Sequence, residues 1–507
     1  MQENLEQHSF IKQNFSLSAL SLAANERLLS RHENIYLKRF TIILMAVSLY
    51  CLGALAVAQT GAPQDPRDIR AKQAWASASA ELRVAEARLK QDANNTQSQH
   101  ALAVILDKMG DIQDLQGQKD ASHYPYDVGY ERALLLARND VKMNPQSPLM
   151  ETVKRIKVTT RRDDEARAWE FRNAARSYYR AAHVIHQRLA ALDPSNDEWQ
   201  RALALSYSKI GPGLVGAKNR LAPYQSALDI HLRLAQRNPA NADWQRDLAS
   251  IYGKIGDATV STQAKVPAEY HEELAIRTKL FRKDETNTLW TRELAMTFDK
   301  IGNALNYLAK LDAARDAYTD GQGLHEDLSK LDPSNTQWKN DLGTVYLEIA
   351  DLENRRRSKF QGQALAAYQN ALKIRTQLLE LDPSNIQWQV NLVESHRKIA
   401  RFYGDGADYA RMLEVNQAAQ QQMARFAQRY PQDRGWLFYQ LEFYFDIGFE
   451  HLRVQRDTRP RIASDKARFP PDPERFEAAT LAGEATFKKM VEIIEVLARQ
   501  DHANAQQ

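Results

Sequence analysis

In the stretch LDPSNDEWQRALALSYSKIG, running from Leu192 to Gly211, apolar side chains follow Trp199 at Leu203, Tyr207 and Ile210. Offsets of four, four and three keep to one face of a helix and do not fit the alternation of a strand. Ahead of the tryptophan, Asp193 or Asn196 offers a short polar side chain to the first free N–H groups. Pro194 stands where a missing donor does no harm. Gly211, with Gly256 and Gly302 in later stretches, is expected to end or bend this helix as a residue tolerant of positive φ. A second apolar pattern runs through AARSYYRAAHVIHQRLAALDP, where Ala175, Tyr179 and Ala182 share a face. Small residues there let a neighbouring helix approach, the tyrosine fills the groove between them, and the helix is predicted to stop ahead of its Asp-Pro.

Both patterns recur. RNPANADWQRDLASIYGKIGD begins at Arg237, KDETNTLWTRELAMTFDKIGN at Lys283, LDPSNTQWKNDLGTVYLEIA at Leu331 and LDPSNIQWQVNLVESHRKIAR at Leu381. A worn copy begins at Arg429. The tryptophans fall at 199, 244, 290, 338, 388 and 436, giving intervals of 45, 46, 48, 50 and 48. Upstream, a copy from Asp92 has Ser98 in the tryptophan position, and MNPQSP at Met143–Pro148 marks another worn junction. The second pattern returns as Ala364, Tyr368 and Ala371, and as Ala314, Tyr318 and Gly321. Self-similarity at a fixed period predicts a stack of about eight helix pairs, each burying its apolar face on the next.

These residues resemble the tetratricopeptide repeat family. Leu203-Ala204, Tyr207 and Gly211 carry the spacing of the family's first helix, and Ala175, Tyr179, Ala182 and Pro194 the order of its second. Two features depart from it. The tryptophan stands four residues before the leucine, one more than in the family, and the period is about 48 residues rather than ~34. The excess predicts roughly two additional turns on each helix. The resemblance implies that the first helices line a concave face whose side chains meet ligand.

One segment breaks with the rest. Phe40 to Ala58 is nineteen residues without a charge, about 28 Å as a helix and enough to cross a bilayer. Arg27, Arg31, Lys38 and Arg39 precede it, and Arg67, Arg70 and Lys72 follow, a slight bias for keeping the N-terminus in the cytoplasm. The array would then face outward, into the periplasm of a bacterium. Ala56-Val57-Ala58 is also an acceptable signal-peptidase site, which would release the array instead. The lone cysteine, Cys51, lies in this segment, so the exported part has no disulfide. A net charge of +4 over 507 residues gives no reason to expect nucleic acid.

No phosphate loop, nucleophile elbow or paired-cysteine metal motif occurs in the chain, so neither an enzyme nor a cofactor is expected. His183 and His186 are three apart and could share a face as metal ligands do, but partly exposed structural histidines are the preferred reading. The tryptophans share one register at a helix start, which marks packing residues between units rather than a stacking platform. The basic ladder is the candidate site. Arg201, Arg246 and Arg292 stand two residues after their tryptophans, and Lys209, Lys254 and Lys300 ten after. Carried over from the family, these six would form a partner-binding column able to grip carboxylates or an acidic peptide. Asp247, Glu293 and Asp341, three after their tryptophans, offer a second reading in which each arginine pairs with the neighbouring unit. The ladder fades where Asn340, Val390 and Phe438 take the arginine positions and Glu348 and Asp446 the lysine ones, leaving a more apolar surface in the last units.

The expected fold is all-α: a right-handed α-solenoid of antiparallel helix pairs, preceded by one membrane-spanning or signal helix. Its divisions are an N-terminal tail at 1–38, the apolar segment at 39–59, the array at 60–500 and a tail at 501–507. A basic, proline-containing connector at 453–476 lies within the array. The expected function is a non-catalytic scaffold of the cell envelope holding a protein or peptide. Its rivals are a membrane-anchored sensor and a glycan-active enzyme built on the tryptophan row.

Overall fold

The computed structural model describes residues 66–92, 95–122, 149–211, 217–263, 265–356, 361–429, 434–458 and 473–505, all within one compact unit. The tail at 1–38, the apolar segment at 39–59 and the MNPQSP junction lie outside them. Among the described residues the fold is all-helical, and none of those helices is long and apolar enough to cross a membrane.

Among the described residues fifteen α-helices follow in order: α1 (Pro66–Gln91), α2 (Thr96–Ser122), α3 (Leu149–Leu192), α4 (Asp197–Ile210) and α5 (Ala217–Arg237). Next come α6 (Ala242–Thr259), α7 (Ala268–Lys283), α8 (Thr288–Tyr307), α9 (Leu311–Leu331) and α10 (Thr336–Arg355). The series ends with α11 (Gln361–Leu381), α12 (Ile386–Asp405), α13 (Tyr409–Arg429), α14 (Arg434–Thr458) and α15 (Pro473–Ala505). Sequential helices pack side by side from α2 to α15, so α2–α3 through α14–α15 make seven units, with α1 against α2. The worn junction at Met143 was expected to open a further pair, but one continuous helix, α3, follows it. Helix also takes both ends of the 453–476 connector and reaches Ala505 in the expected tail.

The junction LDPSN explains each unit's start. The Asp193 carboxylate accepts from the Ser195 backbone N–H at 2.9 Å and its hydroxyl at 2.6 Å, folding the turn. Asn196 then caps α4 by accepting from the Trp199 N–H at 3.1 Å. Asp332, Asp382 and Asp284 repeat the turn, while Asn241, Asn287, Asn335 and Asn385 repeat the cap. Of the two candidate caps, asparagine does the capping and aspartate builds the turn. Each cap stabilises its helix by about 1 kcal/mol.

The glycines play a different part from the one expected. Gly211 has φ −55° and ψ −49°, ordinary right-handed helix, and α6 and α8 continue past Gly256 and Gly302. In four units the glycine serves close approach, whereas the same position is Ala350 and Ala400 in α10 and α12. A Cβ on Gly110, Gly211, Gly256 or Gly302 would stand 2.4–2.6 Å from the ring of Tyr179, Tyr224, Tyr270 or Tyr318, respectively. The second helix's tyrosine thus lies directly on the first helix's backbone. Left-handed residues do occur at two helix ends, but they are Ala309 (φ 57°) and Ala407 (φ 61°).

Candidate functional site

Numbered from the tryptophan of each first helix, positions 2, 6 and 10 are one helical turn apart and form a stripe. The arginine column occupies position 2 and is already engaged. Arg201 Nε donates to Asp247 at 2.5 Å, and Arg292 Nε to Asp341 at 2.6 Å. Arg246 holds Glu293 with two bonds, 3.2 and 2.8 Å, and Arg277 reaches the same carboxylate at 2.7 Å. Each arginine therefore points forward to position 3 of the next unit. These side chains keep 25–35% of their surface exposed, so the pairs are half-buried. Hydrogen bonds to Asp247 and Glu293 raise the pKa of Arg201 and Arg246 further above an already basic range.

The lysine column points the other way. Lys209 Nζ bonds Asp111 of the preceding unit at 2.7 Å, Lys300 lies 3.4 Å from Asp257, and Lys398 pairs with Asp351. Asp111, Asp257 and Asp351 each follow directly on the position where the tyrosine packs, and they accept from its hydroxyl. The bonds are Tyr179 to Asp111 at 3.0 Å, Tyr270 to Asp257 at 2.7 Å and Tyr368 to Asp351 at 2.6 Å. Burial and the neighbouring carboxylates push these phenols far up, so they stay protonated and donate. Tyrosine, aspartate and the next unit's lysine form a relay repeated along the array.

Lys254 is the exception. It is half-buried, and no carboxylate pairs with it among the described residues. In the preceding unit the residue after Gly211 is Pro212, where four other units supply Asp111, Asp257, Asn303 and Asp351, and the last two Arg401 and Phe449. Burial, and then the like charges of Lys209 and Lys300, push its ammonium pKa down. Glu348, at the same position two units on, has the opposite fault. It faces the unit whose relay residue is Asn303, and burial pushes its carboxyl up.

Position 6 of the stripe is apolar and open in part of the array. Val104, Leu205 and Met296 keep 49%, 37% and 39% of their surface exposed, with the small Ser250 between the last two. In the last units the same position carries Glu394 and Glu442. The apolar surface expected there is instead buried. Trp436, Leu437, Leu441 and Phe443 form a core with Met423 and the last helix, because α15 covers them.

The remaining candidates are structural in their surroundings. His183 and His186 are buried rather than partly exposed. His183 Nδ1 lies 2.8 Å from the Ser206 hydroxyl, and His186 Nε2 lies 3.1 Å from Asp107 of the same unit's first helix. No group of three or more His, Cys, Asp or Glu side chains able to hold a metal ion occurs among the described residues. Trp199, Trp244, Trp290, Trp338 and Trp388 are half-buried, between the core and the platform readings, and Trp436 alone of the six is fully buried. An open depression lies elsewhere, on α7, lined by His271, Thr278, Lys279 and Arg282.

Sequence reading missed the relay. Its signal was present as the recurring Gly-Asp, Gly-Asp and Gly-Asn at 110–111, 256–257 and 302–303, broken by Gly-Pro at 211–212.

No protein-family model and no curated protein matches the chain. Solved structures similar to it include BtubC from P. vanneervenii, with 14% identity over 50% of this chain and 90% of that one, at a TM-score of 0.35. A thermophilic TPR protein of Thermus thermophilus has 14% identity over 48% of this chain and 98% of its own, at 0.27. The apo form of RapI has 10% identity over 86% and 98%, at 0.35. On its own repeats and stacked pairs, the chain has a tetratricopeptide-like helical repeat fold.

Proposed function

We propose that the array is a protein-interaction scaffold whose first-helix stripe holds an extended or helical segment of a partner protein. The carrying observation is the exposed Leu205 and Met296, set in register between the arginine and lysine columns, with the exposed Val104 at the same position of α2 between His100 and Lys108. Large apolar side chains left open in a row, rimmed by polar ones, are what a protein-binding surface presents. Affinity would come from these few anchors rather than from total area. The arginines serve the joints first, so they shape the rim and fix its charge.

The test is affinity capture on the full chain against Leu205→Ser combined with Met296→Ser. Both residues are exposed, so the variant keeps its helix content, and the ion pairs remain. A protein retained by the wild type and lost by the variant supports the reading; equal capture removes it.

The uncharged segment at 40–58 supports a setting in the cell envelope, with the array outside the cytoplasm. Alkaline extraction of membranes and N-terminal sequencing check this. An intact N-terminus in the membrane fraction supports an anchor, and a mature chain starting at Gln59 supports a cleaved signal. An intact chain in the soluble fraction removes the envelope setting.

A further inference from the structure

α3 is about twice as long as its unit needs. The second helices α5, α9, α11 and α13 have 21 residues each, and α3 has 44. The surplus of 23 residues lies ahead of the repeat pattern at Ala175, and it adds about 35 Å of helix. Its own first helix, α2, has 27 residues. Even with full overlap, roughly 25 Å of α3 extends beyond α2. Among the described residues, the side-chain bonds that tie α3 into the array fall in its C-terminal half. Tyr179 and His186 bond Asp111 and Asp107 of α2, and His183 meets Ser206 of α4. Trp75 of α1 also packs there, edge-on to Tyr178. α3 has a further neighbour from the far end of the chain, for it packs against α15. That last helix is a firm base. Met490, Ile493 and Leu497 are buried in the cluster with Trp436 and Phe443, and Gln420 of α13 donates to the Thr486 hydroxyl at 3.4 Å. In sequence, the surplus of α3 carries Leu149, Val153 and Ile156 at offsets of four and three, the spacing of one apolar helical face.

We propose that the overhang of α3 and the last helix α15 form an intramolecular clasp, which closes the array on itself and controls entry to the first-helix stripe. Both ion-pair rails bond one first helix directly to the next, as Arg201 to Asp247 and Lys209 to Asp111, so the stripe lies on the inner, closely packed side. With the clasp shut, a segment reaches Leu205 and Met296 only by threading in from an end. With it open, the side of the array is a second way in. α3 packs far more extensively on α2 than on α15, so the clasp parts before the first unit does. The clasp does not depend on the scaffold reading, which decides only what occupies the stripe.

The experiment uses the full chain in detergent, in a Cys51→Ser background, with spin labels at Ser177→Cys on α3 and Glu484→Cys on α15, both exposed positions. Double electron–electron resonance should give one narrow distance. Val153→Asp combined with Ile156→Asp should lengthen and broaden it, with helix content by circular dichroism unchanged. Leu481→Asp, on an exposed part of α15, should leave it as it was. A broad distance in the background chain overturns the clasp, and so does an unchanged distance in the double Asp variant. The background measurement leaves the overhang intact, so it decides the clasp even where the double variant unfolds. Entry is read by labelling Leu205→Cys with a small maleimide and with a maleimide joined to lysozyme. A clasp open about a tenth of the time makes the bulky reagent about tenfold slower than in the double Asp variant, while the small reagent reacts alike in both. Equal rates for the bulky reagent overturn the control of entry. Either failure leaves the scaffold reading to the capture experiment, which does not involve α3.

Discussion

The joint between α6–α7 and α8–α9 and the joint between α12–α13 and α14–α15 solve the same problem with different chemistry. In the first, Arg246 grips Glu293, Lys300 returns to Asp257, and a smaller apolar cluster sets Tyr270 with Ile301, Ala304 and Ala317. In the second, Trp436, Leu441, Phe443, Met423 and Leu497 fuse into one cluster, each no more than about 2% exposed. The C-terminal joint keeps charges as well, since Arg397 pairs with Glu394 and Asp446, but α15 closes over its apolar cluster. The middle units therefore present a surface, and the C-terminal units close the stack. The last helix, α15, also packs against α3, so the final unit has a second neighbour within the chain.

The largest predicted effect separates the two joints directly. Phe443→Ala opens a cavity in the C-terminal cluster and should cost about 3–5 kcal/mol. Trp244→Ala removes a half-buried ring and should cost roughly 1–2 kcal/mol, a fraction of full aromatic burial. Urea unfolding followed by hydrogen exchange in each half should show the first loss confined to α12–α15. Equal losses would mean that the middle joints are as apolar as the end.

Acid should weaken both regions. Burial pushes His231 in the middle and His451 near the end down from 6.5 to about 4. His231 also feels Asp247, which opposes that shift, and Arg201 and Lys254, which add to it. Each histidine is neutral in the fold but takes a proton in the unfolded chain below 6.5, so the unfolded state binds more protons between those values. Stability is fully present above pH 6.5 and is lost as the pH falls toward 4, by roughly 1.4 kcal/mol per pH unit for each histidine. His231→Gln should flatten the loss in exchange rates of α5 and α6 while leaving α14 unchanged. An unaltered profile in α5 would show that His231 is not the group responsible.

Much of this fold could be read from spacing alone, because helix period, cap and junction are local. Asn196 before Trp199 and Asp193 before Ser195 act within five residues of each other, and sequence carries such bonds openly. The functional stripe was legible only in part. Arg201 and Asp247 lie 46 residues apart, and the sequence allowed ion pairing or ligand contact without deciding between them. Gly256 misled because the same residue type serves both positive φ and close approach, and only the position of Tyr270 tells them apart. The apolar residues of α14 were read as surface because their cover, α15, lies beyond a long connector whose path the sequence does not reveal.

Glycine substitution sharpens the comparison at smaller scale. Gly256→Ala places a methyl group 2.5 Å from the Tyr270 ring. Overpacking of about 1–3 kcal/mol then outweighs the ~1 kcal/mol that alanine contributes to a helix interior. Gly323 in α9 has nothing within 4 Å, so Gly323→Ala should gain up to about 1 kcal/mol. Opposite signs in thermal melts would confirm that close approach, not backbone freedom, selects the glycine at the joint. A stabilised Gly256→Ala would show that the ring moves aside.

The smallest effect isolates the rails. A double-mutant cycle on Arg292→Met and Asp341→Asn should give a coupling near 0.2–1 kcal/mol, as for other half-exposed pairs. It should shrink in 1 M salt, where charges are screened beyond ~3 Å. At the C-terminal joint the same two positions hold Val390 and Tyr439, and the Tyr439 hydroxyl donates to the Val390 carbonyl at 3.3 Å. Tyr439→Phe should therefore cost about 1 kcal/mol with no dependence on salt. Salt sensitivity at one joint and indifference at the other would establish that equivalent positions carry two kinds of bond. If both respond alike, the arginine column contributes by packing its stem rather than by charge, and the stripe's rim is free to meet a ligand.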